Sequence, residues 1–123
     1  MTWHFLMSGS AALVLLAQAA AAAPEARACR FERQIYEGVS RAVLLHADID
    51  SDGARASVLV GNGRRYAGRQ TRNSAGASAV SFATDVSREI MTIAPGGETL
   101  WQINFNDGKT MAYAGHCGPI RKR

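Results

Sequence analysis

Val43-Leu44-Leu45-His46-Ala47-Asp48-Ile49-Asp50-Ser51-Asp52-Gly53-Ala54-Arg55-Ala56-Ser57-Val58-Leu59-Val60 is the stretch on which the fold turns. Val43, Leu45, Ala47 and Ile49 alternate with Leu44, His46, Asp48 and Asp50, the pattern that puts one set on each face of a strand. Beyond Asp52-Gly53 the alternation resumes with Ala56, Val58 and Val60. Asp-Gly between two such runs marks a hairpin, because the tight turn needs positive φ, which glycine adopts without steric cost.

Downstream the same grammar repeats. Gly61-Asn62-Gly63 turns the chain into Arg64–Arg69, and the small, polar run Thr71–Ser78 reads as a mobile loop. Val80–Thr84 is a strand, Asp85-Val86-Ser87 a connection, and Glu89–Ile93 a strand that turns at Pro95-Gly96-Gly97 into Thr99–Phe105. Trp101, Ile103 and Phe105 share one face of that last strand, and Asn106-Asp107-Gly108-Lys109 leads to a final strand over Thr110–Cys117. Short alternating runs broken by regular turn signals are the mark of an all-β sandwich or barrel. Sequential hairpins predict an antiparallel meander or small barrel of seven or eight strands.

Upstream, Phe31, Ile35, Val39 and Val43 recur every fourth residue, as on a helix face. All are odd-numbered, however, and Gly38 interrupts the run, so two strands at about 30–36 and 40–49 fit better. The alternative is a helix over about 31–45, which would make the fold α+β.

Two features frame this pattern. Residues 1–22 form an apolar, Ala-rich leader without a charged side chain, ending in Ala20-Ala21-Ala22. Its short apolar core and small-residue end fit a secretory signal peptide; with no Lys or Arg at its start, membrane attachment by an uncleaved leader is the alternative. The rest, 23–123, is one domain by length, closing in a short basic tail at 118–123. It carries the only two cysteines, Cys29 and Cys117, near its ends. Behind an export leader they predict a disulfide that joins the first and last strands, and a periplasmic or secreted location.

The formal net charge is +4, carried by twelve Arg and two Lys. Such a charge is ordinary for solubility and calls for no nucleic acid. Arg64, Arg65, Arg69 and Arg72 form the densest basic stretch and are the candidates for an anionic ligand or an envelope partner. Strand alternation divides Arg64 from Arg65 and Arg69, which favours a solvated edge strand over a converging anion site. Asp48, Asp50 and Asp52 with Gly53 match the opening of a calcium loop, in which alternate carboxylates supply hard oxygen ligands. Leu59 stands where that loop needs a bidentate Glu, and both flanks read as strands. Calcium on those three aspartates is the only cofactor expectation.

For catalysis the inventory is thin. His46 and His116 are the only histidines past the leader, and neither a nucleophile elbow nor a metal-binding histidine pair is present. A non-enzymatic role follows as the expectation.

The order of a leader, Cys29-Arg30-Phe31, a hairpin at Asp52-Gly53, Ile90-Met91-Thr92-Ile93 and a closing Tyr113-Ala114-Gly115-His116-Cys117 is similar to small secreted bacterial β-rich proteins with one disulfide. The plan also resembles the periplasmic C-type lysozyme inhibitors, small antiparallel barrels tied by a disulfide. That resemblance implies a barrel and the inhibition of a hydrolase, with Thr71–Ser78 as the inserting loop. The family's S-G-x-x-Y stretch has its nearest counterpart in Ser74-Ala75-Gly76-Ala77-Ser78, which lacks that placement of Gly and Tyr. The sequence thus describes an exported binding module, with a hydrolase inhibitor and a calcium-dependent module as alternatives.

Overall fold

Two residues with positive φ, Glu37 at 50° and Gly38 at 75°, settle the ambiguous N-terminal stretch. Consecutive left-handed residues make the two-residue turn whose twist matches paired strands, and a helix cannot run through them. In the computed structural model, which describes residues 23–123, β1 (Glu25–Tyr36) and β2 (Val39–Asp52) flank this turn as an antiparallel hairpin. The helix over 31–45 is therefore replaced by strands, both longer than predicted. The leader, and with it the signal-peptide expectation, lies outside the described residues.

The fourfold spacing of Phe31, Ile35, Val39 and Val43 has another origin. An irregularity in pairing between Phe31 and Arg33 shifts the alternation of β1 by one residue. Phe31 is fully buried, whereas Ile35 is 40% exposed and its neighbours Gln34 and Tyr36 turn inward. An apolar residue in a strand faces the core only while the register holds.

Seven further strands follow: β3 (Arg55–Val60), β4 (Arg65–Arg72), β5 (Ser78–Ala83), β6 (Ser87–Ile93), β7 (Glu98–Phe105), β8 (Thr110–Cys117) and β9 (Arg121–Lys122). Each of the first seven pairs antiparallel with the next, and β1 also pairs with β8, so eight strands close an all-β barrel. Closure removes the edges a meander would otherwise leave. β4 is one beneficiary: the Arg-rich strand predicted at an edge lies between β3 and β5.

Cys29 and Cys117 are directly opposite on β1 and β8 and form the disulfide, with 88 residues of separation. Both are almost fully buried, at 3% and 1% exposure, so the bond stitches the barrel seam from inside. Past Gly118 and Pro119 the short basic tail returns to the sheet, where Glu25 faces Lys122 and Ala26 faces Arg121. β9 takes up the β1 backbone that β8 leaves unpaired.

The inner faces supply the core: Phe31, Ile49, Val58, Val80, Met91, Ile93, Trp101, Ile103 and Tyr113, among others. Trp101 is its centre, with ring centroids 5.2 Å from Phe31 and 5.1 Å from Tyr113. The close approach of β1 and β8 at Phe31 needs a glycine on the facing strand. Gly115 pairs with Phe31, and a Cβ there would collide with the Arg30 carbonyl oxygen and stand 2.6 Å from Phe31 Cα.

Candidate binding site at the open end of the barrel

The two ends of the barrel differ. At one end, where β1 starts and β4, β6 and β8 finish, inward-facing long side chains fill the lumen. Glu25 accepts hydrogen bonds from Arg72 at 2.9 Å and Lys122 at 2.8 Å, while Arg27 Nε donates to the Gly118 carbonyl at 2.8 Å. Only about 10 Å³ remains between them and Ile49, Val80, Ile93 and Ile120. The hydrogen bonds from Arg72 and then Lys122 hold the Glu25 carboxyl below the usual range. Burial, seconded by the neighbouring Arg72 charge and opposed by Glu25, pushes the Arg27 guanidinium down from its ordinary value.

The other end is open. A cavity of about 300 Å³ enters the lumen there between the β3–β4 turn, the β5–β6 connection and the start of β8. Alternation explains its lining: Leu45, Tyr66, Trp101, Phe105, Met111 and Tyr113 are inward positions on four strands that each have one end near the opening. Tyr66 stacks on Phe82, ring centroids 5.4 Å apart and planes 18° off parallel. Tyr113 is oriented by Gln34, whose Nε2 donates to its hydroxyl at 3.0 Å.

One carboxylate stands in this apolar wall. On β6, Ser87, Glu89, Met91 and Ile93 point inward in turn, a gradient from polar at the mouth to apolar at the floor. Glu89 pairs in register with Phe82 on one side and Ile103 on the other. Its Oε1 accepts the Trp101 indole N–H at 2.8 Å, and its Oε2 accepts the Ser87 hydroxyl at 2.6 Å. Because Ser87 spends its only hydroxyl proton there, its oxygen takes the Thr84 hydroxyl, 2.6 Å away. A relay of donors from Thr84 through Ser87, with Trp101 from the opposite side, thus fixes the carboxylate in place. None of the ion pairs among the described residues includes Glu89.

The site residues singled out in the sequence lie elsewhere. Asp48, Asp50 and Asp52 do share the outer face of β2, as alternation requires. Asp50 is taken up by two guanidinium groups, Arg65 at 3.3 Å and Arg123 at 2.6 Å. Among the described residues no three His, Cys, Asp or Glu side chains gather as a metal would need. Asp48 and Asp50 edge an outer groove that Ala26 and Ala28 also line.

The arginines disperse too. Arg64 lies in the exposed β3–β4 turn, Arg65 and Arg69 on the outer face of β4, and Arg72 at the filled end beside Glu25. Arg65 and Arg72 are ion-paired. Four like charges pointing three ways do not converge on one anion. The Thr71–Ser78 loop shrinks as well, since Thr71 and Arg72 finish β4 and Ser78 begins β5. Asn73 Oδ1 accepts the N–H groups of Ala75 and Ala77, both at 3.0 Å, and ties the remaining five residues, 73–77, into a turn at the filled end. His116 lies at that end as well, 3.0 Å from the Gly96 carbonyl, and His46 is exposed on the outer face of β2.

Sequence reasoning missed Glu89. The signal was present: in Ser87–Ile93 the alternation that buries Met91 and Ile93 puts Glu89 on the core face. A carboxylate on a core face is the informative exception. The chain matches no protein-family model, no curated protein and no solved structure.

Proposed function

We propose that the protein is an exported, non-enzymatic binding module of the bacterial envelope, which takes a small, largely apolar ligand into the open mouth of its barrel. The observation that carries this reading is the asymmetry of the lumen: about 300 Å³ open and aromatic-lined at one end, about 10 Å³ and crossed by ion pairs at the other. A concave apolar site with a few fixed polar groups is the usual form of a small-molecule site. The volume stands at the low end of such sites, roughly 300–1,000 Å³, which limits the occupant to a compact molecule or one projecting group.

Export is supported by the leader pattern and by a disulfide, which persists in oxidising compartments. The non-enzymatic reading rests on what surrounds Glu89. Its partners are a serine already donating to it, a threonine and an indole, and neither histidine is near enough to act with it as an acid–base pair.

A titration of the oxidised protein with a neutral phenylnaphthylamine dye tests the reading through the rise in dye emission. Wild type takes up the dye saturably, Leu45→Trp, which puts an indole in the mouth, loses at least tenfold in affinity, and Leu100→Trp on the outer face of β7 does not. Unsaturable uptake, or equal uptake by the Leu45 variant with its melting temperature intact, removes the mouth as the site.

A further inference from the structure

A carboxylate between apolar neighbours is costly to desolvate unless something offsets its charge. Glu89 lies between Phe82 and Ile103 in the sheet, and two neutral donors, Trp101 N–H and Ser87 O–H, hold its oxygens. A carboxylate accepts about four hydrogen bonds, so capacity remains on both oxygens. Satisfying the Trp101 indole alone would need only a neutral acceptor. The positive charge that would compensate Glu89 is not provided by any ion pair among the described residues.

The same cavity presents aromatic rings. Tyr66, Trp101, Phe105 and Tyr113 line it together with Glu89, and the Trp101 and Tyr113 rings are 5.1 Å apart. Aromatic faces carry negative potential and attract a cation held above them, most strongly when water is excluded. A fixed carboxylate ringed by aromatic side chains is therefore complementary to one class of guest. Resting on the mouth reading proposed above, we infer that the ligand is an organic cation: an ammonium group seated against Glu89 and the rings, carried on a small apolar body.

The inference explains why the Thr84–Ser87–Glu89–Trp101 relay is built as it is. Its donors fix the carboxylate without neutralising it, as preorganised recognition of a charge requires. The clustered arginines do not enter the cavity: Arg65 and Arg69 lie on the outer face of β4, Arg72 at the filled end and Arg64 in the β3–β4 turn beside the mouth, and none of them lines it.

Two probes of equal shape test it: phenethyltrimethylammonium and its neutral carbon isostere, each titrated by NMR against the oxidised protein. Wild type binds the ammonium at least tenfold more tightly than the isostere. Glu89→Gln keeps an acceptor for Trp101 and nearly the same volume, and it lowers ammonium affinity to that of the isostere. Equal affinity of wild type for both probes overturns the inference and leaves the mouth reading standing, since the isostere still binds. Should neither probe bind while the neutral dye does, the cation is again refuted and the mouth retained; failure of all three refutes both. The wild-type comparison does not depend on whether the variant folds.

Discussion

Replacing Cys29 and Cys117 by alanine together tests what holds the barrel closed. The loop between them spans 88 residues, for which the chain-entropy relation gives about 4.6 kcal/mol at room temperature. The native seam does not need the bond for its geometry. β1 and β8 remain paired from Cys29–Cys117 to Tyr36–Met111, and β9 continues the ladder at Glu25 and Ala26. Thr99 Oγ1, which donates to Cys117 Sγ, also has the Gly97 carbonyl at 2.9 Å and is not left orphaned. The loss should therefore arise almost wholly from the freed unfolded chain, which gains freedom the crosslink denied it. A change of this size is comparable with a small domain's whole stability of roughly 5–15 kcal/mol and lowers Tm by about 20 °C. Urea unfolding followed by Trp101 fluorescence measures it, with refolding slowed and the unfolding rate nearly unchanged. A loss below about 1 kcal/mol would sink the closed-loop argument against its expected magnitude. A loss that falls mainly on the unfolding rate would place the contribution in native packing instead.

Gly115→Ala drives a Cβ against the Arg30 backbone at the Phe31 crossing, where backbone and not a flexible side chain must move; a fall of about 3 kcal/mol or more in denaturant unfolding is expected, and a neutral result would show that the β1–β8 crossing can spread. Glu25 carries the pH dependence of the filled end: its folded pKa is depressed, so its stabilisation is present above the ordinary value of 4.5 and is lost as pH falls through the lower folded value. Thermal melts of wild type and Glu25→Gln should therefore differ at neutral pH and converge as pH falls from the ordinary value through the depressed folded one, whereas a constant difference across that acid range would exclude the linkage.

Much of the fold is legible in alternation and turns. Pro95-Gly96-Gly97 and Asn106-Asp107-Gly108 fall between paired strands as read, the Asp52-Gly53 hairpin turns one residue later at Gly53-Ala54, and the end-to-end cysteines predicted that first and last strands meet. Ile35 misled because one irregular pairing after Phe31 inverted its face, and such a shift leaves no trace in composition. Arg121-Lys122-Arg123 read only as a basic tail and its side chains are exposed, yet its backbone is paired through β9 to a strand almost a hundred residues upstream. The candidate site was less legible. The aspartates and arginines stood out as clusters in the chain, whereas Glu89 is single, and its significance comes from Phe82, Trp101, Ile103 and Tyr113 on other strands.

By itself the sequence determined the strands, most of their turns, the direction each side chain takes along a regular strand and the partner of each cysteine. These are local matters, set by a period of two residues, by glycine at positive φ and by the number of thiols. Only the tertiary structure decided which end of the barrel is filled and which is open. That choice depends on where inward Glu25, Arg27 and Arg72 meet from separate strands, and on Glu89 being left opposite aromatic rings instead of opposite a cation. Charge compensation acts between neighbours in space, and strand order is what makes them neighbours.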